Sequence, residues 1–284
     1  MRQITILVFL FLLCGCERKT EIVSPVETPK AAANSDLKIL SWNIESDGNS
    51  PEVIAKHLKT FNGHSIVALQ EVRPENESRY TTALGATKKS LISNSGRSDR
   101  LMIVYDTNRL ELLSSSEPSD YQDFKLNDGN HRSPLIAVFR DQVTGKEFTL
   151  LTVHLARGKA KLRKEQAVAL REFARDSGMP MVAAGDFNMD YEFPTDKGNS
   201  AFVEMLRDNI WSWAKPDPLI DTNWADRDKD GNDNYPHSML DFCFVANGAK
   251  DWTIECDVVV RERDFPDDEK TSDHRPIEVT IKMD

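Results

Sequence analysis

Close to its C-terminus the chain carries Ser272-Asp273-His274-Arg275-Pro276, which sets a carboxylate beside an imidazole. A carboxylate can hold a metal ion or a water, and an imidazole can carry a proton near neutral pH. An Asp-His pair occurs by chance in many proteins, so its meaning depends on what accompanies it. Four other polar clusters interrupt apolar, strand-like runs: Ser41-Trp42-Asn43-Ile44-Glu45, Leu69-Gln70-Glu71-Val72, Thr152-Val153-His154-Leu155 and Gly185-Asp186-Phe187-Asn188. Taken singly, each has a plain structural reading. A loop carboxylate is usually solvated, Gly-Asp and Asn commonly turn a chain after a strand, and a histidine in an apolar run is often satisfied by a backbone carbonyl. Taken together, Glu71, Asn43, Glu45 and Asp273 supply the oxygen donors that a hard cation such as Mg²⁺ prefers. The His and Cys spacing of a dedicated zinc site is absent.

The surrounding pattern says what must position these groups. Leu37 to Ile44 and Ser65 to Leu69 read as strands, the second ending at Glu71; between them Ser50-Pro51 opens a helix with Ile54, Leu58 and Phe61 on one face. Further strands are expected at Leu101 to Tyr105, Leu135 to Phe139 and Phe148 to His154, with a hairpin turn at Val143-Thr144-Gly145-Lys146. A charged amphipathic helix follows from Lys159 to about Ser177, stopped by Gly178 and Pro180. Met181 to Ala184, Leu240 to Val245, Thr253 to Val260 and Ile277 to Lys282 complete the strands, with Gly185-Asp186 expected where the first of these ends. Many strands and fewer helices in mixed order predict a two-sheet α/β sandwich, not a doubly wound sheet. Every polar cluster falls at or near a strand end, where a rigid scaffold can bring distant residues together. The segments Glu75 to Ser98 and Asn209 to Asn234 carry no readable pattern.

The first residues read differently. Arg2, an apolar run from Ile4 to Leu13 and then Gly15-Cys16 make an export signal over residues 1–15, too short to be a spanning helix. Leu13-Cys14-Gly15-Cys16 resembles a bacterial lipoprotein signal, which implies a lipidated Cys16 and a bacterial cell-envelope location outside the cytoplasm. An ordinary secretory signal or an N-terminal anchor are the alternatives. Residues 16–36, with two prolines and no apolar periodicity, read as a flexible tether, and residues 37–284 as one domain. The formal charge is −10, so no global field draws the protein to nucleic acid or anionic lipid, although a local basic patch could. Cys243 and Cys256 could form an envelope disulfide or remain two buried thiols.

In their order along the chain, Ser41-Trp42-Asn43-Ile44, Leu69-Gln70-Glu71-Val72, Gly185-Asp186-Phe187-Asn188, Leu240-Asp241-Phe242 and Ser272-Asp273-His274-Arg275-Pro276 resemble the endonuclease/exonuclease/phosphatase superfamily over residues 37–284. The resemblance implies a four-layer α/β sandwich, two mixed β-sheets packed face to face with helices outside, and divalent-metal hydrolysis of phosphate esters. It implies Glu71 as the principal ligand of Mg²⁺ (or Mn²⁺), with Asn43 beside it and Asp273 and Glu45 on the metal side. It also implies His274 at the scissile phosphate as general acid/base, oriented by Asp241, and Asp186 on the attacking water. Asn188 would hold a phosphate oxygen and His154 would be a second catalytic imidazole, as in the deoxyribonuclease- and sphingomyelinase-like branches. Asp99 would orient His154, and Arg132 resembles a phosphate-contacting arginine.

Two features stand outside that set. Asp226, Asp228 and Asp230 precede Gly231 as in the first half of a Ca²⁺ loop, but the twelfth position is His237 and no helix pair is expected; a structural Ca²⁺ site or an acidic surface turn are both open. The basic run of Arg157, Lys159, Lys161, Arg163 and Lys164 could guide a polyanion or be a solvated helix face. The expected protein is a monomeric, lipid-anchored phosphodiesterase of nuclease type acting on nucleic acid. A hydrolase of lipid headgroups or small phosphate esters is the alternative, and a non-catalytic envelope binding module a third reading.

Overall fold

A computed structural model of the chain describes residues 36–46, 48–118, 132–262, 264–265 and 270–283. The expected signal, Cys16 and the tether as far as residue 35 lie outside the described residues. Twelve strands form two six-stranded sheets. One contains β1 (Leu37–Asn43), β2 (Ile66–Val72), β3 (Lys88–Ile92), β4 (Arg100–Asp106), β11 (Thr253–Val258) and β12 (Ile277–Lys282), in the order β11-β12-β1-β2-β4-β3. The other contains β5 (Leu110–Ser116), β6 (Leu135–Asp141), β7 (Glu147–His154), β8 (Met181–Glu192), β9 (Trp211–Trp213) and β10 (Ser238–Ala246), in the order β5-β6-β7-β8-β10-β9. Both sheets are mixed: β1 with β2 and β7 with β8 run parallel, and the other neighbours antiparallel. Among the described residues four α-helices, α1 (Pro51–Leu58), α2 (Glu77–Leu84), α3 (Ala160–Ser177) and α4 (Ser200–Leu206), accompany the sheets.

The layering follows from side-chain alternation. Successive residues of a strand face opposite sides of its sheet. In β1, Leu37 and Ile39 join one apolar cluster while Leu40 and Trp42 join another. The first cluster also holds Phe148, Leu150, Val182 and Cys243 of the second sheet, so it is the core between the two sheets. The second packs β1, β2 and β4 against Ile54 and Leu58 of α1 and Tyr80 and Leu84 of α2. A third packs β7, β8 and β10 against Ala167 and Leu170 of α3 and Phe202 of α4. Three apolar interfaces define four layers, helix–sheet–sheet–helix, as the family resemblance implies. Among the described residues no helix is long and apolar enough to cross a membrane.

The segment left unread contains α2 and β3, whose apolar residues are too few and too short-ranged to show a period. The strand beginning at Met181 does not end at Ala184 but continues through Gly185 and Asp186 to Glu192. A Cβ at Gly185 would lie 2.1 Å from the backbone oxygen of Val153, so the glycine serves close strand approach, not a turn. Cys243 and Cys256, near each other in sequence, fall on β10 and β11 in opposite sheets; both are buried and free.

Candidate active site

The rows of side chains facing the inter-sheet core change character along each central strand. In β1 the row runs Leu37, Ile39, Ser41, Asn43; in β7 it runs Phe148, Leu150, Thr152, His154; in β8 it runs Val182, Ala184, Asp186, Asn188. In the antiparallel β10 it runs Val245, Cys243, Asp241. The apolar ends form the core, so the polar ends collect at one edge of the sandwich. Register makes this specific: Asp186 pairs across the strands with His154 on one side and Asp241 on the other. Gln70 belongs to the same face, donating from Nε2 to Ser41 Oγ at 3.2 Å and across the sheets to Thr152 Oγ1 at 2.9 Å. Buried polar groups need such partners, and this network joins the two sheets directly beneath the site.

Asp186 is the hub. Its Oδ2 accepts from Asn43 Nδ2 at 3.1 Å, and lies 3.3 Å from His154 Nε2 and 4.0 Å from His274 Nε2. Its Oδ1 accepts from the backbone N–H of Asn188 at 2.9 Å. Burial pushes its carboxyl up to about 7, helped by the charges of Asp241 and Glu71 and opposed by His274 and that N–H. A carboxylate so placed exchanges its proton near neutrality.

The two imidazoles are driven apart. Burial holds His154 well below its ordinary pKa, and the positive charges of Arg132, His274 and Arg157 add to this, so its ring is neutral. Burial acts downward on His274 too, but the charges of Asp241, Asp273 and Asp186 and the hydrogen bond to Asp241 outweigh it, so that ring is cationic at neutral pH. His274 Nδ1 lies 2.8 Å from Asp241 Oδ2 and its Nε2 lies 3.8 Å from Asp273 Oδ1.

The segment bearing Asp273 and His274 is fastened by residues with no assigned role in the motifs. Ser272 Oγ donates to the backbone oxygen of Asn43 at 2.6 Å and accepts from the N–H of His274 at 3.0 Å. Trp42 Nε1 donates to the backbone oxygen of His274 at 2.9 Å. Thr222 Oγ1 accepts from the N–H groups of Leu240 and Asp241 at 2.9 and 3.2 Å, at the register shift in β10 that turns Asp241 toward His274. Ser272 lay inside a motif already singled out; Thr222 lies in the unread loop, where only the fold could find it.

Glu71 turns toward the site where β2 breaks register, with a left-handed φ of 58°. Glu45 (φ 50°) and Asn188 (φ 51°) share that uncommon conformation, and such backbone outliers cluster at functional sites. Glu71 Oε1 accepts from Asn43 Nδ2 at 3.1 Å and lies 3.8 Å from His154 Nδ1, while Oε2 accepts from the N–H of Ser46 at 3.3 Å. Glu45 Oε2 accepts from the N–H of Asp273 at 3.1 Å. Burial, then the charges of Asp273 and Glu71, push the Glu45 carboxyl up to about 7, and burial with the Glu71 charge raises Asp273. The charge of Glu71 acts on both Glu45 and Asp273, so these carboxylates share one neighbourhood, whose repulsion a hard divalent cation would offset. Asp99 offers a second grouping: its carboxylate, Glu71 and His154 bring ligand atoms within 4.8 Å of one another.

Other sequence candidates sit elsewhere than their expected roles suggest. Arg132, expected on phosphate, donates from Nε to the backbone oxygen of His154 at 3.1 Å and from Nη1 to Asp99, so it braces the His154 strand end. Asn188, expected on a phosphate oxygen, turns Nδ2 to the backbone oxygen of Leu155 at 3.2 Å. The basic run divides: Arg163 is buried and binds the backbone oxygen of Ala156 at 2.9 Å, Lys164 pairs with Glu204 at 3.3 Å, and Arg157 remains exposed beside the site. Asp226, Asp228 and Asp230 do cluster, but both oxygens of Asp226 accept loop N–H groups, from Asp230 and Gly231 at 3.0 Å each.

A sequence model described as the Endonuclease/Exonuclease/phosphatase family matches residues 40–274. Among curated protein sequences none matches. Solved structures share the fold at low identity. A Bacteroides thetaiotaomicron endonuclease/exonuclease/phosphatase family protein is 16% identical, with a TM-score of 0.66 over 87% of this chain and 94% of that one. A Bacteroides thetaiotaomicron mannosyl-6-phosphatase is 17% identical, with a TM-score of 0.64 over 86% of this chain and 99% of that one. D. rerio TDP2 complexed with a single-strand DNA product is 17% identical, with a TM-score of 0.65 over 87% and 99% of the respective chains.

Proposed function

The chain belongs to the endonuclease/exonuclease/phosphatase family, and on that premise we propose that it is a divalent-metal-dependent phosphodiesterase of nuclease type. The observation that carries this reading is the meeting of a near-neutral carboxyl, a neutral imidazole and a cationic imidazole at Asp186 Oδ2, beside a set of carboxylates. Fold alone does not select the chemistry, so the roles rest on these groups.

Hydrolysis requires that a water oxygen bond to phosphorus as the leaving oxygen departs from the opposite face. Asp186, as carboxylate, accepts the proton of the attacking water, and the amide of Asn43 and the neutral ring of His154 hold that carboxylate in place. Glu71, with Asn43, Glu45 and Asp273, would hold Mg²⁺ or Mn²⁺, which when bound supplies Lewis-acid stabilisation of phosphoryl charge. His274 lies 4.0 Å from Asp186. Two groups so close serve the same side of an in-line displacement. The cationic ring therefore donates from Nε2 to a non-bridging phosphate oxygen, as an oxyanion donor, and not to the leaving oxygen expected of a general acid. Asp241 keeps the ring charged and oriented.

Substrate choice is tested by incubating purified protein with Mg²⁺ and, separately, plasmid DNA, single-stranded oligonucleotide, sphingomyelin and phosphomonoesters. Cleavage of nucleic acid is the expected result. Release of headgroup or inorganic phosphate alone would replace this reading with the lipid or small-ester alternative. A small phosphate ester is the second reading, supported by the chain's acidity and the fold it shares with a mannosyl-6-phosphatase. We also propose that the domain works outside the cytoplasm, tethered by a lipid on Cys16. The motif Leu13-Cys14-Gly15-Cys16 supports this. A Cys16→Ser protein that still fractionates with membranes would argue against the anchor.

A further inference from the structure

An open groove of ≈ 870 Å³ runs from Asn188 and Asn223, beside the catalytic cluster, to the loop that joins Thr222 to Ser238. Apolar side chains line it at Ala160, Pro194, Tyr235, Pro236 and Leu240, interleaved with charged and amide groups. Arg157, Arg163, Lys197 and Arg227 line it, against the carboxylates Asp190 and Glu192, so the groove is locally basic on a protein of net charge −10. Arg163 lies 3.4 Å from Asp190, which leaves Arg157, Lys197 and Arg227 strung along the groove. Arg157 stands at the catalytic end, where its charge acts on His154 and Asp273. One scissile phosphate accounts for one such cation. The others match phosphates further along a polyanion.

At the groove's outer wall the Tyr235 ring is 45% exposed, with the Arg227 guanidinium 4.9 Å from its centre. A single exposed aromatic is ordinary on a protein surface; this one gains meaning from lining the groove beside the site. The loop holding the pair is built to keep it in place. Asp226 binds the N–H groups of Asp230 and Gly231, Arg227 N–H donates to Asn234 Oδ1, and Asn234 N–H donates to the backbone oxygen of Ala225 at 2.7 Å. The loop is also tied to the catalytic segment: Trp224 N–H donates to the backbone oxygen of Asp273 at 2.9 Å, and Asn223 bridges to His274. The acidic motif that resembles half of a calcium loop thus acts here as the frame of an aromatic–arginine platform.

The geometry points to a binding site for single-stranded nucleic acid, in which a nucleobase flanking the scissile phosphate stacks on Tyr235 and Arg227 while Arg157 and Lys197 follow the backbone phosphates. This inference rests on the nuclease-type reading of the site. A stacking ring needs an unstacked base, which a duplex withholds and a single strand offers. At ≈ 870 Å³ the groove lies in the upper part of the roughly 300–1,000 Å³ range of ligand sites, ample for more than one nucleotide. Base–aromatic stacking tolerates any sequence, so the site would select strandedness and not sequence.

The test compares full-length protein with Tyr235→Ala, Tyr235→Phe and Arg227→Ala, using Mg²⁺, a labelled single-stranded oligonucleotide, the same sequence as a duplex, and bis(p-nitrophenyl) phosphate. Tyr235→Ala should raise KM for the single strand on the order of tenfold with little change in kcat, as loss of one stacked base requires. Tyr235→Phe, which keeps the ring, should restore it. The ratio of kcat/KM for single strand over bis(p-nitrophenyl) phosphate should fall in Tyr235→Ala and Arg227→Ala. Cleavage of the oligonucleotide with KM unmoved by Tyr235→Ala, or wild-type preference for the duplex, would overturn the platform and leave the nuclease reading standing. Hydrolysis of the small diester without cleavage of any oligonucleotide would overturn both.

Discussion

Replacing His274 with alanine is expected to lower kcat on a phosphodiester by roughly 10³-fold, and by the same factor whether the leaving group is good or poor. The magnitude is that of losing an oxyanion donor or proton-transfer group from a buried site. Its uniformity follows from position. His274 Nε2 lies 4.0 Å from Asp186 Oδ2 and 3.8 Å from Asp273 Oδ1, and in the proposed mechanism, with Asp186 on the attacking water, that places it toward the attacking side and the phosphate. A group that protonates the leaving oxygen is dispensable when p-nitrophenolate departs; one that stabilises charge on the phosphate is not. The measurement is kcat for the variant on a p-nitrophenyl diester and on an alkyl or nucleotide diester. A variant near wild-type on the first and crippled on the second would place His274 on the leaving group after all. Asp241→Asn should give a smaller loss, on the order of 10²-fold, because the ring remains but its charge and orientation lose support. Removing His274 leaves the buried Asp241 without its imidazole partner, which costs on the order of 1–3 kcal/mol of stability. Near-UV circular dichroism therefore accompanies the kinetics.

How far such roles could be read beforehand depended on the kind of signal each residue leaves. His154, Asp186 and Asp241 each end a row of alternating apolar residues, and alternation is written into the sequence. Their meeting follows from strand register, which pairs Asp186 with both neighbours. The two-sheet sandwich was legible from many strands and fewer helices in mixed order, while the four layers came with the family resemblance. What was not legible was carried by single hydrogen bonds between segments far apart in sequence. Thr222 and Asp241, or Arg132 and Asp99, leave no local pattern. Arg132 has the residue type of a phosphate ligand, and its Nε and Nη1 also bind the His154 backbone oxygen and Asp99. The continuation of β8 past Gly185 was hidden because glycine and aspartate ordinarily announce a turn. Here the glycine answers to the oxygen of Val153, a contact made by the neighbouring strand.

Glu71→Gln is expected to reduce activity at low millimolar Mg²⁺ by about 10²–10⁴-fold, with part of the loss recovered as Mg²⁺ is raised. The lower bound reflects Lewis-acid stabilisation worth several kcal/mol in the transition state. Recovery is expected because Glu45, Asp273 and the Asn43 amide remain, and a weakened oxygen site is refilled by mass action. Glutamine keeps the shape and the contact with Asn43, so the change isolates charge, and the left-handed backbone at residue 71 is untouched. Glu71 is the sharpest place to make it. Its charge acts on the Glu45–Asp273 pair, and its carboxylate, 3.8 Å from His154, also belongs to the Glu71–Asp99–His154 grouping, so it adjoins both groupings. Asp99→Asn separates those groupings. If the cation is held on the Glu45–Asp273 side and Asp99 braces only Arg132 and not a ligand, Asp99→Asn should leave the Mg²⁺ concentration for half-maximal activity within about twofold of wild type, short of the roughly 10–100-fold loss expected when a group holding a ligand is removed. If Asp99 is a ligand, that concentration rises with Glu71→Gln and Asp99→Asn alike. Titration calorimetry of Mg²⁺ into the three proteins gives the same comparison without turnover. An unchanged affinity in Glu71→Gln would remove Glu71 from the metal site altogether.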